Sequence, residues 1–199
     1  MNTILIIKKI LKYIYNFKAR KTFKQFGRDS IIYWPAEVCN GKYMIIGDNC
    51  YIKKYAWLHA IKVDKDPIFI MGNNSHINRN CQIVITQKVI IGNHVAIADN
   101  VYIADTTHEY HDITKPTYKQ PLVQIGEVQI GDGSWIGRNA AIMGCKIGKN
   151  CVIGYNSFVT KDIPDYCIVA GCPAKIIKRY NLNTQKWEKT DENGNFLNS

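Results

Sequence analysis

The chain has 199 residues, 46% of them apolar, which suits one compact soluble domain with room for a core. Its formal net charge of +10 points to anionic partners: nucleic acid, an anionic membrane face or a phosphate-bearing small molecule. The seven cysteines, at 39, 50, 81, 145, 151, 167 and 172, include no C-x-x-C pair, so no zinc site or disulfide framework is expected, and they read as reduced, mostly buried thiols of a cytosolic protein.

The opening segment MNTILIIKKILKYIYNFKARKTFKQF has no apolar run long enough to span a bilayer, because Lys8, Lys9 and Lys12 interrupt it. It also lacks the unbroken apolar core and cleavage site of a signal peptide. Ile4, Ile7, Leu11 and Ile14 fall on one helical face with Ile10 beside it, which predicts an amphipathic helix. Two roles are open to it: a cap on the domain end or a neighbouring subunit, and a basic helix lying on an anionic membrane surface. The expected location is cytoplasmic, and the second role would place the protein at the inner face of the membrane.

From about residue 45 to 160 the chain counts in sixes. The clearest hexads are IGNHVA from Ile91, IADNVY from Ile97, IGDGSW from Ile130, IGRNAA from Ile136, IGKNCV from Ile147 and IGYNSF from Ile153, with looser copies from Ile46, Met71 and Ile77. A fixed period of six predicts an all-β solenoid, a parallel β-helix in which the aliphatic residue points inward and Gly or Asn turns the chain. An antiparallel barrel is the competing architecture, and the strict phase of the repeats argues against it. A coil of this kind stacks at about 4.8 Å per strand, so its interior is filled by aliphatic ladders and function belongs outside. Two breaks interrupt the phase. The interval from Ile103 to Ile130 is not a multiple of six and holds ADTTHEYHDITKP, so the chain must leave the coil there as a loop, at about residues 105–124. The second break is the five-residue IMGCK at 142–146. The polar tail NLNTQKWEKTDENGNFLNS carries an N-G pair that suits a small hairpin. The expected division is therefore helix and lead-in at 1–44, coil at 45–165 and a C-terminal extension at 166–199.

The segment IGDGSWIGRNAAIMGCKIGKNCVIGYNSFVTKDIPDYCIVAGCPAKIIKR, with VTKDIP at 159–164 followed by VAGCPAK at 169–175, resembles the hexapeptide-repeat O-acetyltransferases. Within them it is similar to the branch holding galactoside and maltose acetyltransferases and the acetyltransferases of bacterial surface-polysaccharide loci. The resemblance covers about residues 70–180 and implies a left-handed parallel β-helix, a homotrimer with active sites between adjacent coils, and acetyl-CoA as cosubstrate with no metal required. VYIADTTHEYHD matches the segment carrying the family's catalytic histidine, which falls on His108. HINRN at 76–80 aligns with the segment supplying an acceptor-side asparagine, here Asn78, with His76 where a relative carries an aromatic residue. The coenzyme half of the family site maps to Arg138, Tyr155, Thr160, Lys161, Lys175 and Lys178.

The chemistry fits these residue types. A neutral imidazole can take the proton of a sugar hydroxyl as it attacks the thioester, which gives His108 the role of general base with direct transfer. Lys161, Lys175, Lys178 and Arg179 cluster where the coil ends and would meet the coenzyme phosphates; the alternative is a solvated basic tail. His111 is the rival base or an acceptor contact, Asp105 and Glu109 could orient an imidazole or be solvated loop acids, and Trp135 could flank the acceptor, the coenzyme or a subunit contact. The oxyanion donor is a backbone N–H of the coil or the Asn78 amide. The expected acceptor is a sugar within a capsule, O-antigen or similar glycan, or its precursor. No nucleic-acid recognition motif accompanies the basic residues. Two other functions remain in play: a metal hydratase like the γ-type carbonic anhydrases, for which His76, His94, His108 and His111 are the inventory, and a non-catalytic sugar-binding prism.

Overall fold

The computed structural model describes residues 3–197; of the side chains in the helical span 3–12, only that of Ile10 is described. The expected facing of Ile4, Ile7 and Leu11 therefore lies outside the described residues.

The strands form three parallel sheets that the chain visits in rotation. The first face holds Gln25–Phe26, Met44–Ile46, Ile68–Met71, Lys88–Ile91, Val128–Ile130 and Lys146–Ile147. The second holds Ile31–Ile32, Tyr51–Ile52, His76–Ile77, Ala96–Ile97, Trp135–Ile136, Val152–Ile153 and Cys167–Gly171. The third holds Glu37–Cys39, Trp57–Ala60, Gln82–Ile85, Tyr102–Ala104, Ala141–Met143 and Phe158–Val159. The result is a three-faced coil whose first turn lies inside the stretch expected as lead-in. That turn escapes the hexad pattern because Phe26 and Val38 stand where most later turns carry isoleucine.

Each hexad's leading residue points inward and stacks in register. Ile46, Met71, Ile91, Ile130 and Ile147 form one ladder, and Ile52, Ile77, Ile97, Ile136 and Ile153 another. All ten are at most 2% exposed. Burying such a side chain is worth about 1.5–3 kcal/mol, and the ladders are the main stabilising element of the coil.

The corners follow a second rule. Four residues after the inward aliphatic, a small side chain turns in and satisfies a carbonyl of the next turn: Ser75 Oγ donates to Gly92 O at 2.8 Å, Cys50 Sγ to Gly72 O at 3.0 Å and Cys81 Sγ to Ala98 O at 3.0 Å. Cysteine thus stands in for serine, and Cys50, Cys81, Cys145, Cys151 and Cys167 are buried free thiols; Cys39 is half-buried and Cys172 exposed. Asn80, Asn100, Asn139 and Asn156 occupy left-handed backbone at one corner and pass amide hydrogen bonds along the stack at 3.0–3.1 Å.

Helix α1, Thr3–Thr22, lies across the open end. Ala19 and Phe23 are buried there, Tyr15 Oη donates to Ala36 O, and Asn16 satisfies both the N–H and the carbonyl of Ile32. This covers a strand edge that would otherwise be exposed. At the other end the second face continues through an antiparallel hairpin, Ala174–Asn181 with Lys186–Lys189, and Thr190 bridges Phe196 around Gly194.

Candidate active site

The loop that leaves the coil is an ordered hairpin at the corner between the third and first faces. Thr106–His108 pairs antiparallel with Leu122–Gln124, and the ladder is extended by Glu109 N–H to Pro121 O at 2.9 Å. Its base is tied at Asp105. The Asp105 carbonyl accepts from Ile125 N–H at 3.0 Å, joining the two ends of the excursion. The Asp105 carboxylate is fully buried: one oxygen accepts from Thr86 N–H and Oγ, the other from Gln87 N–H and Lys88 N–H, all within 2.9 Å. Asp105 is therefore neither a solvated loop acid nor an orienter of an imidazole; it anchors the hairpin to the turn beneath. Beside it, Gly126 and Gly144 have positive φ, and a Cβ on Gly126 would lie 2.8 Å from Gly144 O. Only glycine lets the returning strand pass this close.

His108 ends the first strand of the hairpin, exposed, with Nδ1 3.3 Å from the Gln120 carbonyl oxygen. A carbonyl can only accept, so Nδ1 carries a proton, which in the neutral ring leaves the lone pair on Nε2. Gln120 is itself buried. Its amide donates to Asp112 O at 2.9 Å and Lys115 O at 3.1 Å, so the side chain fills and fixes the loop whose carbonyl orients His108. Sequence reasoning missed Gln120, whose role depends on tertiary contacts.

His111 is exposed and engaged elsewhere. Its Nδ1 meets Glu109, which also accepts from the Tyr110 and His111 N–H groups, and its ring stacks on Tyr110 at 4.7 Å. The hydrogen bond from His111, then those from the backbone, hold the Glu109 carboxyl below its usual value. Glu109 thus serves His111 and not His108.

A second cluster lies at the corner between the second and third faces. Asn78, Trp135, Arg138 and Tyr155 line a cavity of about 500 Å³. The Trp135 and Tyr155 rings meet edge-on at 5.8 Å. Asp99 sits above Arg138, paired with Arg79 at 3.3 Å. His76 lies on the same face two rungs from Trp135, with Ala96 between them, and packs edge-on against Tyr51 at 5.1 Å. Burial, then the Lys53 ammonium, push His76 below the ordinary histidine value. Four expected site residues therefore converge, but His108 is not among the residues lining this cavity. It sits one corner away, across the width of the third face, so Trp135 does not open onto the hairpin of its own chain.

The expected coenzyme cations lie at the C-terminal end. Thr160 and Lys161 follow the last strand of the third face and are exposed. Lys178 is exposed directly opposite Lys189 in the terminal hairpin, a like-charge pair that is unfavourable until an anion joins it. Lys175 is held by Glu192 at 2.5 Å. Among the described residues no group of three His, Cys, Asp or Glu is placed to hold a metal ion, and His94 takes a corner position with φ 56°.

The family model for bacterial transferase hexapeptide (six repeats) matches residues 127–161. Galactoside O-acetyltransferase of Escherichia coli (strain K12) is 35% identical over 157 residues, which cover 74% of this chain and 72% of that protein. The chain belongs to the hexapeptide-repeat acetyltransferases. A putative lipopolysaccharide biosynthesis O-acetyl transferase of the same organism is 33% identical over 129 residues, 61% of this chain and 66% of that one. Among solved structures, galactoside acetyltransferase in complex with coenzyme A superposes with a TM-score of 0.61 at 25% identity, covering 98% of this chain and 88% of that one. The chain spans 45–66% of the length of several curated relatives that it matches.

Proposed function

We propose that the chain transfers an acetyl group from acetyl-CoA to a sugar hydroxyl, in a bacterial surface polysaccharide or its precursor, with His108 as general base. The observation that carries this reading is the His108 ring, whose Nδ1 is committed to the Gln120 carbonyl on a hairpin anchored by a buried carboxylate. Nε2 takes the hydroxyl proton as the oxygen attacks the thioester carbon, the C–S bond breaks, and the proton passes to the departing thiolate. Transfer is direct in this reading, since one imidazole suffices to activate the hydroxyl and no serine or cysteine intermediate is required. The exposed Lys161 and Lys178, with Arg138, are the groups suited to the coenzyme phosphates. The relatives named for galactosides and lipopolysaccharide support a sugar acceptor.

The coil is proposed to wind left-handed and to assemble as a homotrimer. His108 and the Asn78–Trp135–Arg138–Tyr155 cavity occupy different corners of one coil. A complete site then takes the hairpin from one copy and the cavity from the next.

The test is His108→Ala in acetyl-CoA-dependent transfer, screened against free sugars, nucleotide sugars and lipid-linked glycans. Loss of the base should cost about 10²–10⁴ in rate with the oligomer intact. Unchanged turnover would remove His108 from its role, and one zinc bound per subunit in the purified protein would point to the hydratase chemistry instead.

A further inference from the structure

Helix α1 has two apolar stripes, and the coil uses one of them. Ala19 and Phe23 are buried against the first turn and Tyr15 is half-buried there. Ile10, Tyr13, Ile14 and Phe17, spaced as one helical face, remain 45–76% exposed. Tyr13 and Phe17 also wall a groove of about 610 Å³ between helix and coil, where Ile31 and Tyr51 join them beside the polar Asn16, Arg20, Asp29 and Ser30. The same helix carries Lys8, Lys9, Lys12, Lys18, Arg20 and Lys21 and no acidic residue. Lys21 Nζ lies 4.7 Å from the Phe17 ring centre, which puts a cation at the margin of the stripe.

No helix among the described residues is long and apolar enough to cross a membrane. An exposed stripe of two aromatics and two isoleucines, on a helix whose every charge is positive, matches a surface that is both apolar and anionic. We propose that α1 docks the protein on a bilayer carrying anionic headgroups, with Tyr13 and Phe17 at the acyl boundary and Lys21 beside them among the phosphates. The packed stripe holds the coil against the inner side of the same helix. This inference stands independently of the acyl-transfer reading.

The experiment is co-sedimentation of the full chain with phosphatidylcholine vesicles, with and without phosphatidylglycerol. Binding is expected only to the anionic vesicles and should weaken as salt is raised. Tyr13→Ser with Phe17→Ser should lower binding about tenfold or more, the scale of exposing a large apolar side chain. Residues packed on the coil are untouched, so the melting temperature and transfer to a soluble acceptor should be unchanged. Failure of the wild-type chain to bind anionic vesicles overturns the proposal, as does full binding by the double variant. If the double variant instead dissociates the oligomer and neither protein binds vesicles, the stripe is a subunit contact and the proposal fails.

Discussion

Replacing Asp105 by Asn tests whether the hairpin is anchored as described. The carboxylate receives four hydrogen bonds, two on each oxygen, all between 2.7 and 2.9 Å. An amide keeps one oxygen and turns its NH₂ toward two backbone donors, so two charge-assisted bonds are lost and two N–H groups face a donor. At about 1.5–3 kcal/mol for each bond to a charged group, the loss is about 3–6 kcal/mol before relaxation. Gln87 and Lys88 are only half-buried and regain some water, so the lower end, about 3 kcal/mol, is expected. For a chain of this size that corresponds to a fall in melting temperature of about 6–12 °C. Loosening the base also moves His108, and a displacement of about 1 Å is enough to cost about 10² in kcat/KM. Circular dichroism melts and acetyl-transfer kinetics read the two effects. An Asp105→Asn protein that melts within about 2 °C of wild type and keeps its kcat/KM would refute the anchoring argument.

Thiol chemistry checks the corner column: in the native protein Cys172 should react first with a maleimide and Cys39 more slowly, while Cys50, Cys81, Cys145, Cys151 and Cys167 should react only after unfolding. Burial pushes Cys81 and Cys167 up to about 11 and Cys145 up to about 12, from an ordinary value of 9.0. The unfolded chain releases these protons first, so their contribution to stability is complete below pH 9 and is lost as pH rises through 11 to 12; urea titrations across that range should show it. Glu192→Gln frees the Lys175 ammonium and should lower the KM for acetyl-CoA by up to about fivefold with kcat unchanged. A KM that stays put or rises would take Lys175 out of the coenzyme site.

The coil was legible because its core residues repeat at a short fixed interval and every leading aliphatic from Ile46 to Ile153 is inward. The first turn obeys the same spacing at Phe26, Ile32 and Val38, but without the repeated Ile-Gly pair that makes the later turns conspicuous. The cysteines carried an overlooked signal, since Cys50, Cys81 and Cys151 each stand four places after an inward isoleucine, interchangeable with Ser75 and Ser134. His108 could be singled out through the motif around it. Its supports could not: Asp105 and Gln120 look like ordinary loop residues, and only the fold shows that one is sealed under the hairpin and the other inside it. The grouping of Asn78, Trp135, Arg138 and Tyr155 depends on which corner each hexad reaches, and the loop obscures that phase.

In the proposed homotrimer, the separation of the hairpin from the Trp135 corner would make each site the joint product of two copies. A chain crippled at His108 still offers a sound corner to its neighbour, and one crippled at Arg138 still lends a sound hairpin. Two defective chains mixed in such a trimer would then rebuild working sites that neither parent has.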